Sequence, residues 1–125
     1  MLRNMIANAV AYTERGRIIV GCRRGARVRI QVLDTGRGIP ADEQQHIFQE
    51  FYQLGNPERD RNQGVGLGLA IVKRLTTLLD HPLSLRSPTG RGSCFQLEAP
   101  VAIAPPMNSS VIRARVRRAP LRVAA

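Results

Sequence analysis

Hydrophobic residues recur along the chain at two different spacings. Residues 2–12 carry a hydrophobic side chain every three or four positions, which predicts an amphipathic helix. Residues 67–79 repeat this spacing and predict a second helix that ends by Pro82. The apolar stripe of the second helix comprises Leu67, Ile71, Leu75 and Leu78, and Val72 and Leu79 widen it. This stripe is expected to face the core, with Lys73 and Arg74 towards solvent.

Four shorter runs alternate hydrophobic and polar residues and predict β-strands. Residues 17–24 and 27–33 are separated by a short glycine-containing turn, which favours a hairpin. Residues 83–87 and 93–98 are joined by a second glycine-containing turn and predict another hairpin. Helices that alternate with hairpins favour an α/β two-layer sandwich, with a mixed, mostly antiparallel sheet and helices on one face.

Two segments between these elements are more polar. Pro40 is expected to open a short helix as far as Phe48, with acidic residues in its first turn, where the helix dipole favours them. Residues 53–63 contain almost no core formers and predict a mobile loop.

Composition separates the chain into two parts. Residues 1–100 are expected to form one domain, and residues 101–125 an Ala/Pro/Arg-rich tail or linker. The net charge is +10, and five arginines with no acidic residue lie after Pro100. A solvated linker is the expected role of this tail, and a nucleic-acid-binding arm is the alternative.

Membrane and metal signals are weak in the sequence. No apolar run approaches the ~20 residues that span a bilayer, and residues 1–4 do not begin a secretory signal. The segment is expected to be cytoplasmic and to make no membrane contact, whether or not a longer parent protein is membrane-anchored. Cys22 and Cys94 are far apart and lack metal-ligand spacing, so two reduced thiols are expected.

Three groups of residues can carry chemistry. Asn4 and Asn8 share a helix face and can offer amide oxygens to Mg²⁺, although exposed Asn pairs are also common on helices. Asp34 follows an apolar strand and can accept an amino group such as that of adenine, or simply cap its turn. A third group, at the start of the second helix, can expose backbone N–H groups to phosphate or act as a hinge: Gly64, Gly66 and Gly68. Its spacing fits neither a dinucleotide fold nor a P-loop.

In this order, these motifs closely resemble the ATPase domain of sensor histidine kinases, of the GHKL superfamily, with its Bergerat-type fold. The N box, first glycine box, phenylalanine box and second glycine box match Asn4–Ala9, Asp34–Gly38, Phe48–Phe51 and Gly64–Gly68. The turn Thr89–Ser93 matches the family's closing turn. Because the family's domain normally begins with a strand and more helix before the N box, its front end is expected to be missing. An open sheet edge would result.

The resemblance implies a role for each matching residue. Asn8 would be the Mg²⁺ ligand, with Asn4 beside the phosphates as catalytic residue and second candidate ligand. Asp34 would receive the adenine amino group, and Tyr12 would pack near the base. Gly36 and Gly38 would shape the cleft wall, and the phosphates would be held by Gly64, Gly66, Leu67 and Gly68. Residues 53–63 would form a lid over ATP, from which Arg59, Arg61 and Gln63 could reach the phosphates. Phe48 and Phe51 would anchor the lid or belong to the core.

The residue at position 4 bears on the reaction. The gyrase and heat-shock chaperone ATPases carry Glu there to activate water, and an amide cannot accept that proton. The resemblance therefore implies that the domain binds ATP and Mg²⁺ and transfers the γ-phosphoryl group to a histidine on a separate dimerisation domain. His46 and His81 lack the neighbouring residues typical of the histidine that accepts the phosphoryl group. A homodimeric parent protein and a response regulator receiver domain are the implied partners, and no nucleic acid is expected. The alternatives are a non-catalytic nucleotide-binding remnant and an anti-sigma-type serine-protein kinase.

Overall fold

A computed structural model describes residues 1–53 and 66–102, and the backbone of residues 111–117. In chain order the elements are α1 (Leu2–Tyr12), β1 (Arg15–Arg24), β2 (Arg27–Asp34), a 3-10 helix (His46–Phe48), α2 (Gly68–Leu78), β3 (Leu83–Arg86), β4 (Ser93–Pro100) and β5 (Val111–Arg117). The two long predicted helices and both predicted hairpins are present, with bounds within a few residues of those expected.

The strands form one five-stranded sheet in the order β3-β4-β2-β1-β5. Each neighbouring pair is antiparallel, so the parallel component of a mixed sheet does not occur among the described strands. The expected two-layer α/β sandwich is otherwise confirmed. The register places Asp34, at the end of the central strand β2, opposite Ile18 on β1 and Ser93 on β4.

One face of the sheet carries the core. Along β2 and β4 every second residue points towards the helices, as Val32 and Phe95 do, and both are almost completely buried. Met5 of α1 and Val72 of α2 meet these side chains from the helix layer and are fully buried too. Burial of each such side chain stabilises the fold by about 1.5–3 kcal/mol. These contacts hold α1 and α2 side by side above the sheet.

The orientation of α2 differs from the prediction. Val72 and Thr76 are its buried residues, whereas Ile71 is 47% and Leu78 is 73% exposed. Thr76 can enter the core because its hydroxyl donates to the carbonyl oxygen of Lys73, 2.8 Å away. Of the predicted stripe, Val72 is buried, Leu67 and Leu75 are half-buried, and Ile71, Leu78 and Leu79 are exposed, while Lys73 and Arg74 face solvent as expected.

The segment that follows Pro40 also differs from the prediction of a continuous helix. Residues 41–45 form turns, in which the N–H groups of Glu43 and Gln44 both donate to the carbonyl oxygen of Pro40. Only His46–Phe48 is helical, and it is a 3-10 helix. 3-10 helices are usually this short, because their hydrogen bonds are less well aligned than those of an α-helix, and they often serve as connectors.

The region after residue 100 contributes to the sheet. Strand β5 pairs with β1 over seven residue pairs, from Arg15–Arg117 to Gly21–Val111. A solvated linker was expected over these residues, but from Ile112 to Arg117 apolar residues alternate with arginines, which suits a strand at a sheet edge. The β1 edge, which was expected to be open, is therefore covered by β5.

Two smaller findings complete the fold. Cys22 and Cys94 are free and half-buried, and burial raises the pKa of the Cys94 thiol, although Arg86 opposes this rise. None of the helices within the described residues has the length and apolarity that crossing a bilayer requires.

Candidate functional site

A cleft of about 350 Å³ lies between α1, the end of β2 and the start of α2. Its walls bring together residues from three distant parts of the sequence. Eight of the site residues predicted from the sequence line it: Asn4, Asn8, Tyr12, Asp34, Gly38, Gly66, Leu67 and Gly68. The cleft therefore unites the N box, the first glycine box and the end of the second glycine box.

One wall of the cleft is a face of α1. Asn4, Asn8 and Tyr12 are spaced by four residues, so their side chains lie above one another on the same side of the helix. Met5 and Ala9, one position further on in each turn, fill the core and fix this rotation of the helix. The helix therefore presents two amides and a phenol ring to the same cavity.

Asn4 joins α1 to the start of α2. Its Nδ2 donates to the carbonyl oxygen of Gly68 at 3.2 Å, across 64 residues of sequence. This bond leaves the amide oxygen Oδ1 for another partner. A Cβ on Gly68 would lie 3.8 Å from the Asn4 Cβ, so the two backbones approach closely at this end of the cleft.

Asp34 lies at the opposite end of the cleft and is only 7% exposed. Its Oδ1 accepts the Gly36 N–H at 2.8 Å, and the carboxylate can accept further donors. Burial raises the pKa of Asp34, while the backbone N–H groups of Gly36 and Ser93 and the Thr13 hydroxyl lower it. The balance leaves the pKa above its ordinary value, because the loss of water is the largest of these effects.

Gly36 has a different position from the one predicted. It does not line the cleft but lies behind Asp34, where a Cβ would meet the backbone oxygen of Tyr12 and approach Asp34 Oδ1 to 2.9 Å. Only glycine fits this space, and its N–H holds the carboxylate in place. Gly36 is thus a support of Asp34 rather than a part of the cleft wall.

The second glycine segment forms the end of the cleft beside Asn4. Gly66 has a φ of 74°, a left-handed conformation that favours glycine, and its carbonyl oxygen accepts the Phe51 N–H at 3.0 Å. This bond ties together the two ends of the segment that lies outside the described residues. Helix α2 begins at Gly68, and the first N–H groups of a helix have no partner within it. They are suited to bind an anion.

Some predicted site residues cannot be placed. Arg59, Arg61, Gln63 and Gly64 lie outside the described residues. Of the predicted lid, Gln53 is described and lines the cleft. The two residues of the phenylalanine box separate: Phe48 packs edge-on against Phe95, with ring centroids 6.4 Å apart, whereas Phe51 is 67% exposed.

The cleft also contains residues that the sequence did not single out. Ser93 is buried beside Asp34, and its position at the end of the closing turn is the signal that could have identified it. Ile39, Ile47, Tyr52 and Leu69 add apolar surface near the two ends of the site. A flat aromatic ligand requires such walls, and periodicity alone does not distinguish them from ordinary core residues.

The donor set limits how a metal ion is held. Among the described residues, no three His, Cys, Asp or Glu side chains come together. The oxygens that the cleft offers near α2 are those of Asn4 and Asn8, which suit a hard cation but are too few to hold it alone. These residues fit Mg²⁺ only if a ligand such as a polyphosphate supplies further oxygens.

The fold and the cleft are those of a two-layer α/β domain with a ligand-binding cleft between the helices and the end of the central strand. The family described as histidine kinase-, DNA gyrase B- and HSP90-like ATPases matches residues 1–103. The chain belongs to this family, and within it resembles the catalytic domains of sensor histidine kinases.

Several curated relatives are sensor histidine kinases. The chain is 39% identical over 102 residues to RcsC of Salmonella typhimurium and covers 81% of its own length and 11% of that protein. It is 40% identical over 110 residues to AruS of Pseudomonas aeruginosa, covering 83% of itself and 11% of that protein. The chain therefore spans about a tenth of the length of these relatives.

Solved structures agree with this relationship. Full-length ShkA in complex with AMPPNP matches with a TM-score of 0.69 and 37% identity, over 82% of this chain and 21% of that one. The mycobacterial sensor histidine kinase MprB matches with a TM-score of 0.64 and 25% identity, over 78% and 65% of the two chains. The chain is thus an ATP-binding module of the histidine-kinase type.

Proposed function

We propose that this chain binds ATP together with Mg²⁺ and donates the γ-phosphoryl group to a histidine on a separate dimerisation domain, as the catalytic module of a two-component signalling kinase. The observation that carries this proposal is Asn4, an amide at the junction of α1 and the N-terminus of α2. The proposal places adenine at Asp34 and the phosphates at this junction.

The Asp34 end of the cleft suits adenine. The ionised carboxylate accepts hydrogen bonds only, so it selects a ligand that presents an amino group and disfavours a carbonyl oxygen at the same position. Because Asp34 is nearly buried, its bond to the base is shielded from competing water. The apolar side chains of Ile39 and Ile47 provide surface for the faces of the ring.

The α2 end suits phosphates and a cation. Backbone N–H groups at the start of α2 and the positive end of the helix dipole favour an anion there. Asn8 and Asn4 would hold Mg²⁺ through their amide oxygens, with phosphate oxygens completing its coordination. When bound, the cation supplies charge neutralisation of the phosphates. The Asn4 side chain stays oriented by its hydrogen bond to Gly68.

The chemistry of Asn4 favours transfer over hydrolysis. A neutral amide cannot take a proton from water, so this cleft offers no general base at the position beside the phosphates. Phosphoryl transfer needs mainly alignment and charge stabilisation, which the two helices provide. An imidazole nitrogen brought to the open side of the cleft would be the acceptor.

The acceptor is expected to come from another domain. Neither His46 nor His81, the two histidines of the chain, lines the cleft. A histidine on a dimerisation domain would therefore approach from outside, and a response regulator receiver domain would take the phosphoryl group from that histidine. A homodimeric parent protein would bring such domains together.

Titration with ATP tests the nucleotide and cation roles. The full chain is expected to bind ATP more tightly with Mg²⁺ than without it, measured by isothermal titration calorimetry. Asn8→Ala should abolish the Mg²⁺-dependent gain, whereas Gln45→Ala, an exposed amide outside the cleft, should not change it. Equal ATP affinity with and without Mg²⁺ would contradict the assignment of Asn8.

Transfer is tested separately with radiolabelled ATP and the isolated dimerisation domain of a related sensor histidine kinase. Acid-labile, base-stable label on that domain is the expected result, because phosphohistidine has this stability. Binding of ATP without transfer would favour a nucleotide-binding remnant. Acid-stable label on a serine of an added protein substrate would favour a serine-protein kinase instead.

A further inference from the structure

The face of the sheet that points away from the helices is strongly basic. Side chains alternate along each strand, so the residues beside the core positions point to this outer face. On β1, β2 and β3 the exposed arginines at outward positions are Arg15, Arg17, Arg23, Arg29 and Arg86. The backbone of strand β5 extends the sheet beyond β1. We call this set of arginines the basic sheet face.

Acidic residues do not balance this charge. At the outward positions of the described strands, Glu98 is the one acidic residue, and its carboxylate already accepts Arg29 Nε at 3.3 Å and Gln96 Nε2 at 3.2 Å. Part of the net charge of +10 is thus concentrated on one side of the molecule. An uncompensated surface of this kind attracts anions over several ångströms.

Like charges also face each other across the strands. Arg23 pairs with Arg29 between β1 and β2. Like charges directly opposite each other destabilise a sheet. A partner that places negative charge over this pair would reduce the repulsion, so the fold itself should be stabilised by an anionic surface.

We propose that the basic sheet face docks on the headgroups of an anionic lipid membrane. Five strands about 4.8 Å apart make this face a surface roughly 20 Å wide, which matches an extended planar partner. Each arginine near such a surface contributes to binding through the negative potential of the lipids. Between them, the half-buried aliphatic side chains of Ile19 and Leu33 can contact the region beneath the headgroups.

A nucleic acid fits this face less well. Among the described strand positions, no aromatic side chain points outward, whereas single strands are usually bound by stacking on aromatic rings. Nor does a helix of the described residues project from this face to enter a major groove. The sequence led us to expect no membrane contact by this segment. The proposal differs because the pairing of the strands gathers on one face arginines that are far apart in the sequence.

Vesicle co-sedimentation of the full chain tests this proposal. At 0.1 M salt the chain should bind vesicles of phosphatidylglycerol and phosphatidylcholine and not vesicles of phosphatidylcholine alone. The double variant Arg17→Gln/Arg23→Gln should bind about thirtyfold more weakly, since each surface arginine contributes roughly fivefold. The control Arg3→Gln/Arg74→Gln removes the same charge from exposed positions on α1 and α2 and should change binding by less than about threefold.

The two variants separate this face from a general charge effect. Both keep every arginine after Pro100, so binding through that region would be the same in each, and equal binding of the two variants would overturn the proposal. Tighter binding to a DNA duplex or an oligothymidine than to the anionic vesicles, with the same loss in the face variant, would also overturn it. The thermal midpoint of the face variant should be unchanged or higher, because the repulsion between Arg23 and Arg29 is removed.

Discussion

Asp34 is a carboxyl group that folding holds in an unfavourable environment. Its pKa in the folded chain is raised above the ordinary 3.8, chiefly by burial. The folded state therefore binds this proton more readily than the unfolded state, and the stability of the fold decreases as pH rises from 3.8 through the raised pKa. At neutral pH the ionised group reduces the free energy of unfolding, although the same ionised group is the form that can accept an amino group.

Replacing Asp34 by Asn should therefore separate function from stability. At pH 7 we expect Asp34→Asn to weaken ATP binding roughly 10- to 100-fold, because a charged acceptor is lost. The free energy of unfolding should be unchanged or higher, and this difference should shrink as pH falls towards 4. Calorimetric ATP titration and urea unfolding measure the two quantities. A variant that loses stability and binding together would instead indicate a purely structural carboxylate.

Thr13 is the second residue whose position suggests a test. It is fully buried, and its hydroxyl lowers the pKa of Asp34 although it makes no hydrogen bond of good geometry within the described residues. We expect Thr13→Val to raise the pKa of Asp34 further, so that ATP binding is lost at a higher pH on acidification. Thr13→Ser keeps the hydroxyl and should retain the wild-type profile of affinity against pH. Identical profiles for the Val and Ser variants would show that Thr13 does not act through Asp34.

At the scale of elements, the contact between Gly66 and Phe51 is sensitive to the methyl group that alanine would add at position 66. Gly66 has a positive φ, and a Cβ there would lie 3.0 Å from Phe51 C and from Tyr52 O. We expect Gly66→Ala to destabilise the chain by about 1–2 kcal/mol and to weaken ATP binding, because the start of α2 must shift. Thermal unfolding and ATP titration measure the two effects.

The matched control for this substitution is Gly21→Ala. Gly21 lies in β1, and a Cβ there would have no atom within 4 Å. Its stability should be unchanged or slightly increased, since alanine has less conformational freedom in the unfolded chain. Equal effects of the two substitutions would mean that the geometry at Gly66 is not important for the cleft.

The elements themselves were largely predictable, because their signals are local. Glycine turns marked both hairpins, and the spacing of four residues put Asn4 and Asn8 on one helix face. The rotation of α2 was not predictable, since two of its faces are apolar and contact with the sheet chose the one with Val72 and Thr76. A threonine counts as polar in a hydrophobic pattern, whereas in the helix its hydroxyl is satisfied by Lys73.

At the scale of the whole molecule, the site depends on pairing that local signals do not contain. Ser93 lies beside Asp34 because the register of β2 and β4 pairs these two residues. Gly36 lies behind Asp34, where the backbone of Tyr12 at the end of α1 leaves no room for a side chain. The resemblance of ordered motifs predicted the residues that meet in the cleft, such as Asn4 and Gly68. It did not predict their supports, nor that residues 111–117 would pair with β1.

Strand β5 provides the last test, because it covers an edge that would otherwise expose the hydrogen-bonding groups of β1. We expect removal of residues 104–125 to lower the free energy of unfolding by at least about 1–2 kcal/mol, and to promote self-association through the exposed β1 edge. Removal of residues 118–125 alone keeps β5 and serves as the control. Thermal unfolding and light scattering compare the two shortened chains. If both behave like the full chain, β5 contributes nothing to the sheet; if only the longer deletion aggregates, the arginine-rich segment stabilises the domain whose cleft binds the nucleotide.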